Sequence, residues 1–420
     1  MKFDVRSDRA LIREAGGSRR YCLVSFTAPV VPPKADRKPI NVTFVLDRSG
    51  SMGGERKIEL VREAVDKAIG MLREDDRFSV VIYDDRIDVL MESTLASGEA
   101  KRAARRQLER VTARGSTNLG GGWLRGCEQA AIHFNNAVPT KCLLLTDGLA
   151  NQGITDQSEL ARHADELRQR GVLTSTFGVG SDFDEVLLQK MADAGGGHSY
   201  YVQKAVQIAD FLTSELGETL EVVARQATLQ FILPTGVEAE PLNSFRFKRS
   251  DNDLSIDLGS LVSGQEVSIV VGLRFSKGNI GDTLSAGVCL TDRDGEMTPV
   301  ATSLNWTFAD HAANDKQARD RVVDAAVAEL YAAKARDEAL ACNRRGDFNG
   351  ARTVMSKTAD RIREYAGDSK SIQNLADVLA QEAVEYQEVM PVAEMKFRYY
   401  SAQHAMRSRD AQGKSKRSKN

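Results

Sequence analysis

The sequence predicts a multidomain α/β, β and α protein. A doubly wound, Rossmann-like α/β domain is set between two parts of a β-sandwich, and a helical C-terminal region follows. Three observations carry this. Apolar strands alternate with amphipathic helices from about residue 39 to 217, the period switches to strand-like alternation at about residue 225, and after Asp310 the chain turns Ala-rich, charged and helical. At 420 residues the chain exceeds what one hydrophobic core normally serves.

In order, Lys2 to Arg6, Leu11 to Arg13 and Tyr21 to Phe26 read as short strands, and Pro29, Pro32 and Pro33 mark a linker. So few strands cannot bury a core alone. Residues 1–38 are therefore expected to join the strands of residues 222–308, with the α/β domain of residues 39–217 inserted between them. Within that domain Asn41 to Leu46 is a buried strand, and Ile58, Val61, Val65, Ala68 and Leu72 mark one face of the helix after it. Phe78 to Tyr83 and Ile87 to Met91 form a hairpin, and Cys142 to Thr146 is a fully apolar strand. Strands of this kind between helices imply a mostly parallel sheet. Residues 309–406 are expected to form three helices, the last from Ile372 to about Ala405. The basic, Ser-rich tail 407–420 is expected to be disordered.

Composition narrows the function. A formal net charge of −2 gives no electrostatic case for nucleic acid or an anionic membrane. Met1 to Arg6 carries no apolar segment of a secretion signal, and no apolar run reaches the roughly 18 residues of a membrane span. Five scattered cysteines without CxxC spacing suit reduced thiols, so a cytoplasmic location is expected.

The chemistry concentrates in three loops. Asp47, Ser49 and Ser51 follow the first α/β strand, Thr117 lies in a Gly-rich loop opening a helix, and Asp147 ends the Leu143–Thr146 strand. Hard oxygen ligands clustered at strand ends suit a divalent cation such as Mg²⁺. In a doubly wound sheet these loops converge where the crossovers reverse direction. Asp-x-Ser-x-Ser alone is accounted for by helix capping; Thr117 and Asp147 at matching strand ends make the metal reading specific. Arg48 reads as a solvated arginine that could otherwise orient a partner carboxylate. Asp75, Asp76, Asp84 and Asp85 read as caps and strand terminators. Gly120-Gly121-Gly122 lacks the lysine of a phosphate loop, and tight packing at a helix start accounts for it. The five histidines show no ligand spacing.

Asp47-Arg48-Ser49-Gly50-Ser51-Met52, Gly115-Ser116-Thr117-Asn118-Leu119 and Thr146-Asp147-Gly148 resemble, in order and spacing, the three parts of the metal-ion-dependent adhesion site of von Willebrand factor A domains. The resemblance covers about residues 40–215. It implies that Ser49, Ser51 and Thr117 offer hydroxyls to the cation, directly or by rearrangement on ligand binding, and that Asp47 and Asp147 bind it directly or through water. It also implies a position left for an Asp or Glu of a partner protein. Mg²⁺ is the expected ion, with Mn²⁺ and Ca²⁺ as alternatives. The domain order resembles bacterial cytoplasmic A-domain proteins and inter-alpha-trypsin inhibitor heavy chains. By that analogy the partner is a MoxR-type AAA+ ATPase or a kinase–phosphatase pair. The expected function is a metal-dependent protein-binding adaptor, not an enzyme. The alternatives are a metal-assisted phosphoester hydrolase, for which two aspartates are few, and an assembly protein using mainly its helical region.

Overall fold

The computed structural model describes residues 2–31 and 37–417; the predicted linker residues Pro32 and Pro33 and the last three residues of the basic tail lie outside it. The chain divides into two units, residues 33–221 forming one, and the segments before and after them forming the other. The chain opens with strands β1 (Lys2–Ser7), β2 (Leu11–Arg13) and β3 (Arg19–Thr27). β1 and β3 pair antiparallel, Lys2 opposite Thr27 and Ser7 opposite Cys22.

The α/β unit follows with β4 (Asn41–Asp47), α1 (Lys57–Gly70), β5 (Arg77–Tyr83), β6 (Ile87–Leu95), α2 (Gly98–Leu108) and α3 (Leu119–Ala131). It continues through β7 (Thr140–Thr146), α4 (Gln157–Gln169), β8 (Val172–Val179), α5 (Glu185–Ala194), β9 (Gly196–Val202) and α6 (Ile208–Leu220). The sheet order is β6-β5-β4-β7-β8-β9. All pairings are parallel except the predicted hairpin of β5 with β6. β4 and β7 are buried at every position, the pattern of strands covered on both faces. Val42, Phe44 and Leu46 face a core built with Val61, Val65, Leu212 and Leu216 of α1 and α6.

On the other face α3 lies close because it is glycine-rich. A Cβ on Gly122 would fall 2.3 Å from the Tyr83 ring, and one on Gly126 2.1 Å from Val45 Cγ2. Close packing thus accounts for the Gly-rich helix start. Gly126→Ala is expected to destabilise the protein by about 1–3 kcal/mol through overpacking. Gly217→Ala, in open space within α6, is expected to stabilise it by about 0.5–1 kcal/mol. Urea unfolding of both variants would show the opposite signs.

Strands β10 (Val222–Ile232), β11 (Val237–Pro241), β12 (Arg246–Arg249), β13 (Asp253–Val262), β14 (Glu266–Phe275), β15 (Thr283–Thr291) and β16 (Val300–Ala309) belong to the same unit as β1 to β3. They make two sheets, ordered β1-β3-β14-β11 and β12-β13-β10-β15-β16-β2. β3 pairs with β14 from Thr27–Glu266 to Arg19–Arg274, and β2 runs parallel to β16. One apolar cluster takes Cys22, Val24, Phe26, Ile269 and Val271 from the first sheet, and Leu229, Phe231, Ile256, Val288 and Trp306 from the second. β11 and β12 were not legible: β11 is short and ends at Pro241, and β12 is exposed throughout.

The helical region comprises α7 (His311–Lys316), α8 (Arg321–Arg344), α9 (Phe348–Ala366), α10 (Lys370–Glu385) and α11 (Val392–Met406). The expected third helix is two, because Pro391, without an N–H, caps the start of α11. α8 packs Val323, Val327 and Leu330 on Tyr21, Leu23 and Val270, the face of β3 and β14 turned away from the inter-sheet core.

The expected disorder of the tail is corrected for residues 407–417, where Ser408 and Arg409 are buried. β11 covers β14 only from Val271 to Phe275. That leaves N–H groups of the preceding stretch without a strand partner, and buried backbone donors demand acceptors. Glu266 N–H donates to the Lys416 carbonyl at 2.9 Å, Ser268 N–H to Ser408 Oγ at 3.0 Å, and Val270 N–H to Asn243 Oδ1 at 2.8 Å. Backbone accounting holds this segment, and composition does not reveal it.

Candidate metal centre

β4 and β7 are parallel neighbours, Leu46 opposite Leu145, so Asp47 and Asp147 emerge side by side at their carboxyl ends. The connection from β4 leads through α1 to β5 on one side, while β7 lies on the other, which makes this the switch point of the sheet. Ser49 Oγ and Ser51 Oγ lie 3.1 Å apart, and Ser51 Oγ donates to Asp147 Oδ1 at 2.6 Å. Asp47 accepts the Ser49 N–H at 2.8 Å and the Thr146 hydroxyl at 2.6 Å. A Cβ placed on Gly148 would lie 3.2 Å from Thr117 Oγ1 and 3.8 Å from Asp47 Oδ2. All five predicted residues therefore gather around one bare stretch of backbone.

Backbone bonds tie the three loops together. Gly50 N–H donates to the Gly115 carbonyl at 3.0 Å, and Arg114 N–H to that of Arg48 at 2.7 Å. Asn151 and Gln152 N–H both donate to the Thr117 carbonyl. Asn151 Oδ1 accepts the Thr117 N–H at 3.0 Å. Asp47, Ser49, Thr117 and Asp147 are buried, whereas Gly50, Ser51 and Leu149 are exposed. The cluster is thus open on one side.

Arg48 is corrected: it is buried and not solvated. Its guanidinium lies 3.0 Å from Asp84 Oδ2 and 2.5 Å from Asp88 Oδ2. Arg114 Nε also donates to Asp84 Oδ2, at 2.7 Å. Asp84 accepts the Arg86 N–H as well, so the acidic run terminates its strand as expected and in addition braces two of the loops. Arg48, committed to these carboxylates, is not presented to a partner.

Sequence reasoning missed Lys57. Its ammonium donates to Asp147 Oδ2 at 2.7 Å, and the residue is 8% exposed. A signal was present: Lys57, Val61, Val65 and Ala68 share one helical face, so a lysine falls at the head of the buried stripe.

The charge distribution suits a cation. Burial above all, with a contribution from Asp147, pushes the Asp47 carboxyl up to about 6, against the hydrogen bonds from Ser49 and Thr146. The fully buried Tyr83 hydroxyl has no hydrogen-bond partner among the described residues. Burial, then the charge on Asp47, holds its phenol well above the usual value. Two carboxylates and three hydroxyls, with negative charge left over, form a donor set that could hold a hard divalent ion.

A second group brings His198, Glu215 and Glu218 within 4.8 Å of one another, and could also hold a metal ion. Glu215, however, already accepts Lys141 Nζ at 2.6 Å, Ser175 Oγ at 2.5 Å and Tyr200 Oη at 2.6 Å, and lies 3.0 Å from His198 Nδ1. Despite burial, Lys141 first and then His198 hold its carboxyl well below the usual range. It is a closed ion pair.

Comparison with known proteins identifies the α/β unit. The family model for the von Willebrand factor type A domain matches residues 41–214. The Escherichia coli K12 protein YfbK is 29% identical over 243 residues, covering 56% of this chain and 42% of its own. Inter-alpha-trypsin inhibitor heavy chain H1 of Mesocricetus auratus is 32% identical over 169 residues, 38% of this chain and 18% of its own. The chain thus spans less than half the length of these two relatives, neither of which is named for an enzymatic activity. A solved structure described as von Willebrand factor type A from Catenulispora acidiphila superposes with a TM-score of 0.70 at 19% identity, covering 89% of this chain and 88% of that one. Residues 41–214 are a von Willebrand factor type A domain, carried on a chain with additional strands and a C-terminal helical region.

Proposed function

We propose that this protein is a metal-dependent protein-binding adaptor whose Asp47, Ser49, Ser51, Thr117 and Asp147 hold a divalent cation, Mg²⁺ by preference, and capture an Asp or Glu of a partner protein. The observation that carries the reading is the meeting of these five residues at the switch point, with Ser51 exposed beside the buried carboxylates. When bound, the cation supplies an electrophilic position that a carboxylate from outside can complete. Asp47 and Asp147 provide the negative charge, the hydroxyls provide neutral oxygens, and the Arg48–Asp84–Arg114 ion pairs keep the loops in register. Domains of this type commonly mediate protein–protein interactions and often bind a divalent metal ion, which supports the reading.

In this reading the two sheets of the other unit form a β-sandwich interrupted by the A domain, and the helices extend it into a scaffold. Similarity to a bacterial relative supports a bacterial setting, and a binding adaptor of this build would serve in a multiprotein or signalling assembly. The partner is one presenting acidic side chains, a MoxR-type AAA+ ATPase or a kinase–phosphatase pair being the classes the architecture suggests. Five free cysteines fit a reducing, cytoplasmic setting. Among the described residues no helix is long and apolar enough to cross a membrane.

The test is titration of the full chain with Mg²⁺ and Mn²⁺ by calorimetry, alongside capture from the native host with and without EDTA. Asp47→Ala is expected to weaken cation binding by a factor of about 100 or more, loss of a charged ligand being worth roughly 3 kcal/mol. Capture lost with EDTA and with Asp47→Ala supports the adaptor. Equal cation binding by wild type and Asp47→Ala, or Mg²⁺-dependent phosphoester hydrolysis abolished by Asp147→Ala, would overturn it.

A further inference from the structure

Lys57 is the one ammonium in contact with the candidate ligands among the described residues, and its placement is specific. It sits at the first position of α1, 8% exposed, with its ammonium on Asp147 Oδ2. Asp147 Oδ1 meanwhile faces the hydroxyl of Ser51. Gly180, in the loop after β8, leaves the space beside the ammonium bare: a Cβ there would lie 3.4 Å from Lys57 Nζ. A buried ammonium so held is a fixed charge, not a flexible surface one.

The charges follow from the side chains present. Arg48 and Arg114 are balanced locally by Asp84 and Asp88. Among the candidate ligands and the group paired directly with them, that leaves Asp47 and Asp147 opposed by the single positive charge of Lys57, one net negative charge. A divalent cation would turn this into one net positive charge, which one external carboxylate would neutralise. Without Lys57 the two aspartates alone would neutralise the ion, and the loaded centre would have no excess charge with which to attract an anion. Between buried charges a few ångströms apart, such an imbalance shifts affinities by an order of magnitude or more, even at a high effective dielectric constant.

Resting on the metal-centre reading above, we infer that Lys57 is a specificity-determining residue: its fixed charge weakens the centre's hold on the divalent cation alone and strengthens the loaded centre's hold on an anionic partner carboxylate. Its charge opposes the cation in the absence of the partner and favours the carboxylate once the cation is in place. The factor by which cation and carboxylate strengthen each other is reciprocal and comes from their own attraction; Lys57 shifts the affinity for each, against the cation and towards the carboxylate. The centre would then be sparsely loaded until an acidic group arrives.

The test measures the Mn²⁺ affinity of the full chain by electron paramagnetic resonance and calorimetry, and the acetate affinity of the Mn²⁺-loaded chain, for wild type, Lys57→Met, Lys57→Arg and Asp47→Ala. Lys57→Met keeps the length of the side chain and removes its charge; Lys57→Arg keeps the charge. Lys57→Met is expected to bind Mn²⁺ alone roughly tenfold more tightly than wild type and, once loaded, to bind acetate roughly tenfold more weakly. Lys57→Arg is expected to keep the wild-type pattern. Circular dichroism and thermal unfolding verify that each variant is folded. If wild type binds Mn²⁺ through Asp47 while folded Lys57→Met binds it equally or more weakly, the role given to Lys57 is overturned and the metal centre stands. Weaker Mn²⁺ binding by both Lys57→Met and Lys57→Arg would show that the lysine only positions Asp147, which also overturns that role. If Asp47→Ala binds Mn²⁺ as wild type does, the metal-centre reading itself fails, and the role of Lys57 with it. Should Lys57→Met fail to fold, Lys57→Gln, equally uncharged, is measured in its place against the same outcomes.

Discussion

In the cation-free protein, stability is expected to fall by about 3 kcal/mol as pH rises through the range from 3.8 to about 6, and Asp47→Asn is expected to flatten that fall. The sign follows from the direction of the shift. Burial raises the folded pKa of Asp47 above its unfolded value, so between the two values the folded protein holds a proton that the unfolded chain has released. The stabilisation is complete below 3.8 and is lost as pH climbs through about 6. Above that pH the carboxylate is ionised at a buried position, beside a second carboxylate. Asparagine removes the charge but accepts less strongly from the Ser49 N–H and Thr146 hydroxyl. The net gain of the variant near neutral pH is therefore about 2 kcal/mol, after a loss of roughly 1 kcal/mol in hydrogen bonding. Urea unfolding in EDTA across this pH range, followed in the transition of the α/β unit, measures it. Saturating Mg²⁺ should raise wild type at neutral pH and leave Asp47→Asn nearly unmoved. An equal effect of Mg²⁺ on both proteins would contradict the site.

Glu215→Ala is expected to cost about 3–5 kcal/mol, because it strands a buried lysine. Glu215 is fully buried between Lys141, Ser175, His198 and Tyr200, and the Lys141 side chain is only 9% exposed. Removing the carboxylate leaves an ammonium and two hydroxyls without their acceptor. Replacing the pair together, as Lys141→Met with Glu215→Leu, is expected to recover most of the loss, since the desolvation of both charges is then avoided. A urea-unfolding double-mutant cycle checks this. The pH dependence runs opposite to that of Asp47. The folded pKa of Glu215 lies well below 4.5, so its contribution is present above 4.5 and is lost as pH falls towards the folded value. The α/β unit thus contains two buried carboxylates of opposite character. One is satisfied by the protein's own cations; the other is left in want of one.

The α/β sheet was legible in the sequence because both signals that define it are local. Fully apolar strands such as Leu143–Thr146 and the stripe Ile58, Val61, Val65 need only their own neighbours to be read. The five candidate residues were legible because each stands at the end of such a strand or the start of such a helix. Lys57 was overlooked because lysine at a helix start ordinarily lies in solvent; its meaning depends on Asp147, 90 residues away. Arg48 was misjudged for the same reason, its partners Asp84 and Asp88 lying on the neighbouring hairpin. The segment after Arg407 was misread because its order comes from unpaired donors on β14, a long-range matter to which composition is blind. The break at Pro391 was the exception: its signal was local and was passed over within a long helical period.

The pairing of β3 with β14 has a consequence for how the chain is made. Ser25 and Ser268 face each other although they stand 243 positions apart in the sequence. A ribosome releases the whole α/β unit before any strand that can complete the N-terminal hairpin has emerged. The A domain can therefore collapse around its own local contacts, while β1 and β3 wait with an apolar face and a free edge. Contacts so distant in sequence form late and slowly, and one of them, Glu266 with Lys416, must await the synthesis of residue 416. During biogenesis the interval of greatest exposure to aggregation thus belongs to the scaffold, and the candidate metal centre is assembled first.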